Sequence, residues 1–530
     1  MVRTREYDAG GPLAGERAAA ARSWRHGALC GLTAAAAALG TAELVSVFTG
    51  PQSSPLVAVG GVVVDSVPAS VKDFATSVFY TYDKLALIIG TLVILALFAI
   101  GFGILAVRNV AYGVVGVGVF GLVGLAAAVT RPNAGPSAAF PSLLGAAAGA
   151  LVLVWLLRID PTGDDAGPSD ARQGGAPARR KFLQAVGGVL AGAAVIGFGG
   201  RWFADRRNVS ADRAAIDLPS PVDAATPLPP EADLKLPQLT PFLTANDNFY
   251  RIDTALVVPQ VSPDGWTLKI HGRVKNPITL TYAELTKRPM IERYVTLACV
   301  SNEVGGNLIS TARFLGVPLK ALLEEAGPLA GADQVVSRSV DGFTAGTPTA
   351  VLLDGRDAML AVGMNGEPLP IEHGFPVRIV VPGLYGYVSA TKWLAEIELS
   401  SFADFDAYWI RRGWAQQAPI KTESRIDTPG DGSSVSAGSV TVAGVAWAQH
   451  RGISKVEVQV DDGPWETARL AAVPSIDTWR QWAYSWTAPA GKHRLTVRAT
   501  DNAGQTQTDA VSPPDPDGAT GWHSVQVTVK

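Results

Sequence analysis

The residues Tyr294-Val295-Thr296-Leu297-Ala298-Cys299-Val300-Ser301-Asn302-Glu303-Val304-Gly305-Gly306 carry the clearest chemical signal in the chain. A β-patterned run ends in a cysteine and passes directly into a polar, glycine-containing loop. This pattern predicts a thiol at the mouth of a domain, where a metal or a substrate can reach it. A lone cysteine has three readings: a small buried hydrophobe, a soft metal ligand, or the nucleophile of a Cys-dependent hydrolase. The last requires a histidine base beside it, and spacing alone places neither His271 nor His373 there. No G-x-G-x-x-G or Walker motif is present, so a nucleotide site has no support.

The elements that would position this thiol lie between 242 and 423. Short β-patterned runs (WTLKIHG, YVTLACV, FPVRIVV, LAEIELS) mix there with a helical one, VPLKALLEEAG, and turn signals separate them, which predicts an α+β domain. From 424 to 530 the pattern becomes alternating strands with Asp462-Gly463 as a hairpin turn, a small all-β sandwich. Six of the thirteen tryptophans fall in it (Trp447, Trp465, Trp479, Trp482, Trp486, Trp522) and are expected to build its core or an interface rather than a sugar-binding groove. Seven prolines between 217 and 241 make residues 204–241 an extended, stiff linker or wrapping arm.

The preceding residues are of a different kind. Apolar stretches near 28–48, 85–107, 111–129 and 139–157 each approach the roughly 20 residues needed to cross hydrocarbon, so 28–158 reads as a four-helix membrane region. Residues 182–203, rich in Gly and Ala, read as a fifth transmembrane helix or signal anchor. The piece 56–71, with Asp65 and Pro68, reads as an extracytoplasmic or interfacial segment. Arg3, Arg5, Arg17, Arg22 and Arg25 in the basic segment 1–27, and Arg158, Arg172, Arg179, Arg180 and Lys181 in or beside the loop 159–181, place both flanks in the cytoplasm. Five spans then deliver the chain beyond 204 to the extracytoplasmic side. Arg179-Arg180-Lys181-Phe182-Leu183-Gln184 also resembles a twin-arginine export signal, although Ala178 stands where Ser or Thr is usual. Glu43, near the outer end of the first span, is expected to reach water, and Cys30 to be a packing residue.

Composition closes several classes. A net charge of -3 over 530 residues provides no basic field for nucleic acid. A mean hydropathy of +0.20 with 17% charged residues fits membrane segments pooled with a globular part. Two cysteines exclude a disulfide scaffold and a Cys-ligated iron–sulfur cluster. The six histidines are expected to lie outside the apolar spans, so no haem is predicted.

From about 242 to 530 the chain resembles the sulfite oxidase family of molybdopterin enzymes. The resemblance runs in order through NFYRID (248–253), LACVSN (297–302), RFLGVPLKALLEEAG (313–327), VSRSVDG (336–342) and the long LAVGMNGEPLPIEHGFPVRIVVPGLYGYVSATKWLAEIEL (360–399). The segment beginning SRIDTPGDG is similar to the family's C-terminal immunoglobulin-like dimerisation domain. The resemblance implies a molybdenum–molybdopterin cofactor with Cys299 as its metal ligand and catalytic residue; one protein sulfur suffices because the pterin supplies the others. It implies that His373, Arg378 and Lys392 hold the phosphate-bearing end of the pterin, a task suited to Arg and Lys donors. It further implies that Tyr250, Arg251, Ser339, Asp341, Ser389, Ala390 and Thr391 line the cofactor.

Three departures bear on substrate. Glu303 and Val304 stand where sulfite oxidases proper carry a basic pair, Asp253 where they carry an arginine, and Trp414 where they carry a tyrosine near the metal. These changes weaken an oxyanion site, for which Arg411 or Arg412 could compensate. The expectation is a membrane-anchored, extracytoplasmic molybdopterin oxidoreductase performing two-electron oxygen-atom transfer on a sulfur oxyanion or sulfoxide. Its electrons would pass to an unidentified partner or a quinone, and its β-sandwich would make a homodimer. The alternative is a cofactor-free, membrane-tethered binding or assembly protein on the same fold.

Overall fold

Apolar, glycine-rich runs and alternating runs become two separate units in the computed structural model of the chain, which describes residues 11–67, 83–131, 134–159, 175–206 and 209–530. One unit comprises residues up to 208 together with 255–257; the other comprises 209–254 and 258–530.

The first unit is helical: Gly11–Thr49, Pro55–Ser66, Asp83–Arg108, Val110–Val129, Phe140–Leu157 and Gly175–Arg206. Among the described residues, Trp24–Thr49, Leu85–Arg108, Val110–Val129 and Pro136–Leu157 are long and apolar enough to cross a membrane. These are the four stretches expected. The first begins earlier than the sequence pattern indicated, so His26 lies inside it rather than before it, with its ring 4.6 Å from that of Phe182. Gly175–Arg206 runs unbroken through the expected fifth span but is not among the four. Pro55–Ser66, at 12 residues and about 1.5 Å per residue, is about 18 Å long, short of the roughly 30 Å of hydrocarbon. Residues 68–71 of that segment, Arg3, Arg5 and Arg172 lie outside the described residues.

Small residues let these helices touch backbone to backbone: a Cβ on Gly31 would come within 2.0 Å of the Ala99 carbonyl oxygen. Cys30 is fully buried with Ala34, Leu153 and Leu156, as a packing residue would be. Glu43 accepts a hydrogen bond from the Ser54 hydroxyl.

The second unit opens with the proline-rich arm, which lies along the domains that follow it. Arg213 donates to the Pro368 and Leu369 carbonyls at 2.7 and 2.8 Å, Leu234 N–H to Gln481 Oε1 at 2.7 Å, and Thr240 N–H to Asp427 at 3.0 Å. The α+β domain has ten strands: β1 (Thr267–Gly272), β2 (Ile278–Thr281), β3 (Ile291–Ala298), β4 (Ile309–Pro318), β5 (Gln334–Ser339), β6 (Thr344–Pro348), β7 (Met359–Met364), β8 (Glu367–Pro368), β9 (Arg378–Val380) and β10 (Leu394–Ser400). They form two sheets, β2-β1-β10-β5-β6 and β3-β4-β7-β8, with β9 pairing β7; β1 and β10 are parallel. VPLKALLEEAG yields the helix Leu319–Ala326, which buries Leu319, Leu322, Leu323 and Ala326 and stops at Gly327 in the left-handed region, φ +68°.

The C-terminal domain is a sandwich of β11 (Glu423–Thr428), β12 (Ser433–Val435), β13 (Gly438–Trp447), β14 (Ile453–Val460), β15 (Trp465–Thr467), β16 (Arg469–Leu470), β17 (Arg480–Ala488), β18 (Gly491–Asp501) and β19 (His523–Val529). Its sheets are β11-β13-β17-β16 and β12-β19-β18-β14-β15, and the β14–β15 hairpin turns through Asp462-Gly463 as expected. The tryptophans divide by role. Trp482 and Trp486 belong to the sandwich core, whereas Trp447 and Trp479 join the core of the preceding domain. Trp479 donates to the Phe242 carbonyl at 2.9 Å, and its backbone N–H donates to Thr296 Oγ1 at 2.7 Å. A buried tryptophan removes about 200 Å² from water, worth up to about 5 kcal/mol, so these two residues bind the domains firmly together. Trp465 and Trp522 are half-buried, with rings 4.9 Å apart and Arg498 at 4.2 Å over Trp465.

Candidate active site

β3 stops at Ala298, which puts Cys299 at the first position beyond the ladder. Its N–H donates to the Leu308 carbonyl at 2.9 Å, and its carbonyl accepts from Asn302 N–H at 3.1 Å, closing a turn. Asn302 Oδ1 in turn accepts from Leu308 N–H at 2.8 Å, so the loop 299–308 is held from within. The thiol is buried. Burial pushes its pKa up, against the opposing pull of the Ser301 backbone N–H and hydroxyl.

The same cavity that holds Cys299, about 900 Å³ including its solvent-open mouth, is also lined by His373, Arg378 and Lys392. The three basic side chains converge through Gly374, whose φ is +109°. A Cβ there would lie 3.0 Å from that of Lys392 and 3.1 Å from that of Arg378, a tight fit, and the positive φ favours glycine.

The guanidinium of Arg378 is 5% exposed and donates to the His373 carbonyl at 3.2 Å; among the described residues no carboxylate pairs with it. Burial pulls its pKa down to about 10. A buried cation without a counter-ion is costly, and an anionic ligand would remove that cost. Lys392 donates to Asp253 Oδ2 at 2.8 Å and to the Glu372 carbonyl at 3.1 Å; burial takes it down to about 8 although Asp253 opposes the shift. His373 Nε2 is 3.1 Å from the Asn246 carbonyl, which fixes it as the donor nitrogen, and burial together with Arg378 lowers its pKa to about 4. The imidazole is therefore neutral near pH 7, a hydrogen-bonding group rather than a third cation. Trp393 follows Lys392 with φ +48°, a rare conformation for a bulky residue, held by its indole N–H donating to the Ile371 carbonyl at 2.8 Å.

The remaining expected residues divide. Tyr250, Ser339, Asp341, Ala390 and Trp414 line the cavity with Cys299 and the basic cluster. Tyr250 stacks on Phe249 with ring centroids 5.4 Å apart, and burial raises its phenol pKa. Ser339 and Asp341 organise the β5–β6 turn, Asp341 Oδ1 accepting from Phe343 N–H at 3.1 Å. Arg251, Ser389, Thr391, Arg411 and Arg412 are not among the lining residues. Arg251 is half exposed and pairs with Asp253 at 3.0 Å. Ser389 donates back to the Tyr385 carbonyl at 2.9 Å, and Thr391 shares a 2.7 Å hydrogen bond with Ser337. Arg412 lies 3.6 Å over the Tyr408 ring and donates to the Tyr408 carbonyl, while Arg411 faces Phe405.

Sequence reasoning missed Phe343, Tyr387 and Trp409 as lining residues. It noted Asp253 only as a departure, not as the carboxylate that pairs with Lys392 inside the site. The aromatic residues come from separate segments, Tyr387 from the short helix Gly386–Ser389, and no spacing in the chain joins them.

Comparisons with known proteins bear on the family of these domains. An oxidoreductase molybdopterin binding domain matches residues 255–409, and a bacterial Ig domain matches 423–497. Sulfite oxidase of Gallus gallus is 31% identical over 324 residues, covering 51% of this chain and 69% of that protein. The chain belongs to the sulfite oxidase family. The mitochondrial sulfite oxidase of Homo sapiens is 31% identical over 321 residues, of which the match covers 51% of this chain and 58% of the relative's length. Among solved structures, the sulfane dehydrogenase SoxCD of Paracoccus pantotrophus aligns with a TM-score of 0.48 at 22% identity, covering 55% of this chain and 84% of that one.

The cofactor of the family fits the residues present. A phosphate-bearing pterin matches a cavity with a buried guanidinium that lacks a counter-ion, a lysine and a neutral imidazole, and a metal bound through sulfur matches a single thiol in the same space.

Proposed function

We propose that the chain is a membrane-anchored, extracytoplasmic molybdopterin-dependent oxidoreductase in which Cys299 ligates the molybdenum. The observation that carries this reading is the convergence of Cys299 with Arg378, Lys392 and His373 in one cavity. When bound, such a cofactor supplies two-electron chemistry coupled to oxygen-atom transfer. The protein's own contribution is positional and electrostatic. Arg378 and Lys392 donate to the anionic end, with Asp253 holding the Lys392 ammonium charged despite its burial. His373 donates no net charge but completes the hydrogen-bonding rim, and the Cys299 turn fixes the sulfur at a strand end where the backbone cannot drift. The substrate is a small sulfur-oxo compound, an oxyanion or a sulfoxide, and electrons pass to a separate partner or a quinone. Elemental analysis of the detergent-purified protein, with pterin fluorescence after oxidative release, tests the assignment: molybdenum and pterin near one per chain are expected. Absence of both from a host competent in cofactor synthesis would sink it and leave a cofactor-free binding module.

The four apolar helices support the anchor, and the arginine pair Arg179-Arg180 ahead of Gly187–Ile196 supports export of a folded, loaded domain. A reporter fused after residue 205 should read as extracytoplasmic. Replacing Arg179 and Arg180 with lysine should block export of the domain; normal export in that variant would reduce the pair to an ordinary charged flank.

A further inference from the structure

We infer that the mouth beside Cys299 selects an uncharged substrate with an apolar or aromatic body and turns away small divalent oxyanions. The inference rests on the molybdopterin reading of the cavity and names its substrate class. Two clusters of different chemistry line the cavity. His373, Arg378 and Lys392 meet at Gly374, as described above. The other cluster begins where β3 ends: a Cβ on Gly386 would lie 3.8 Å from the Ala298 carbonyl oxygen, so the segment carrying Tyr387 abuts the residue before Cys299. From Tyr387 an unbroken series of ring contacts continues through Trp414 at 5.7 Å, Trp409 at 6.0 Å, Tyr408 at 5.2 Å and Phe343 at 5.8 Å. Of these rings, Tyr387, Trp414, Trp409 and Phe343 face the cavity. Tyr387 is fixed by its hydroxyl, which donates to the Ala415 carbonyl at 2.6 Å.

Charge accounting decides what such a wall can accept. Arg378 and Lys392 are the cations that line the cavity, and Lys392 is already paired with Asp253. Once the anionic end of the cofactor occupies Arg378 and Lys392, a second dianion would meet no further side-chain cation among the described lining residues. It would instead meet Asp341 and would have Glu303, exposed, four residues from Cys299. Arg251 and Arg338, each next to a lining residue, are paired with Asp253 and with Glu396 and Glu398, and Arg411 and Arg412 are engaged with Phe405 and Tyr408. Stripping water from a divalent anion without a compensating donor is costly, whereas aromatic faces favour an apolar body and make favourable contacts with sulfur.

The test is isothermal titration calorimetry of the detergent-purified holoenzyme, with molybdenum and pterin measured on the same sample. The probes are methyl phenyl sulfoxide as the neutral molecule, and sodium sulfite and sodium sulfate as the dianions, in a buffer alkaline enough to keep sulfite fully deprotonated. Saturable binding of the sulfoxide at least about tenfold tighter than either anion is expected. Trp414→Leu should weaken that binding about tenfold, and Trp414→Phe, which keeps a ring, should retain most of it. Molybdenum content should be unchanged in both. Sulfite or sulfate binding as tightly as the sulfoxide, or no saturable sulfoxide binding, overturns the inference. A sample without molybdenum and pterin fails the cofactor reading instead, and the titration still reports on the aromatic wall, which is made by the chain itself.

Discussion

Cys299→Ser should remove turnover while leaving pterin binding largely intact. The substitution changes one atom in a position whose backbone is fixed independently of the side chain, by the Leu308 carbonyl on one side and Asn302 N–H on the other. The turn therefore keeps its shape. The groups that would hold the phosphate-bearing end, Arg378, Lys392 and His373, are held by other partners and do not contact the thiol through any of their hydrogen bonds. What is lost is a soft, polarisable donor. A thiol raised by burial can still yield its proton to a high-valent metal ion already bound by sulfur, with Ser301 N–H and hydroxyl favouring the thiolate. A serine hydroxyl in the same place is harder, far less acidic and a poor ligand for a metal already surrounded by sulfur. Loss of an outer partner alone typically costs a metal site about 10–100-fold, so loss of the ligand itself should cost at least about 100-fold in kcat. Steady-state assay with an artificial electron acceptor, alongside pterin content and the sulfur-to-metal charge-transfer absorption, checks this. Wild-type activity in the variant would remove Cys299 from the metal.

The sequence made the position of Cys299 legible because a strand end and a polar loop are local events, written in seven or eight consecutive residues. The same holds for Leu319–Ala326, whose apolar spacing and terminal glycine are both local. The basic cluster was legible only as a resemblance. His373, Arg378 and Lys392 are separated by five and fourteen residues, and they meet because Gly374 admits no side chain between them and β9 carries Arg378 into the sheet. Nothing in charge patterning separates Arg378, buried without a carboxylate, from Arg412, which spends its guanidinium on Tyr408. The aromatic wall was illegible for the same reason in stronger form. Phe343, Tyr387, Trp409 and Trp414 come from three separate segments, of which the one carrying Tyr387 is a short helix, Gly386–Ser389, and their rings touch only once the domain is assembled. His26 falls within the first candidate span, its ring 4.6 Å from that of Phe182, where composition sets no sharp boundary.

The second large effect concerns the loop that follows Cys299, which is gripped from outside its own domain. Arg425 of β11 is buried and donates to the Gly306 carbonyl at 2.6 Å, to Thr240 Oγ1 at 2.9 Å and to Asp427 at 2.6 Å. His523, at the start of β19, accepts from Ile426 N–H at 3.0 Å, and its ring presses on Gly305 so closely that a Cβ there would sit 2.2 Å from it. Gly305 also has φ +78°, which costs any other L-residue about 1–2 kcal/mol. Gly305→Ala therefore carries two penalties, one in the backbone and one against the His523 ring, and the cheapest relief is to shift the loop that begins at Cys299. We expect about a tenfold or greater fall in kcat, with a change in the spectrum of the bound metal that a merely less stable protein would not show. Adding His523→Ala removes the steric penalty but not the backbone one. The double variant should thus recover part of the activity and the wild-type spectrum, with a favourable coupling of about 0.5–3 kcal/mol, while His523→Ala alone loses one hydrogen bond worth about 1 kcal/mol. If the two substitutions are additive, the ring does not position the loop. If they couple as expected, the C-terminal sandwich is part of the apparatus that aims Cys299, and the tryptophans that weld it to the preceding domain serve the site as well as the fold.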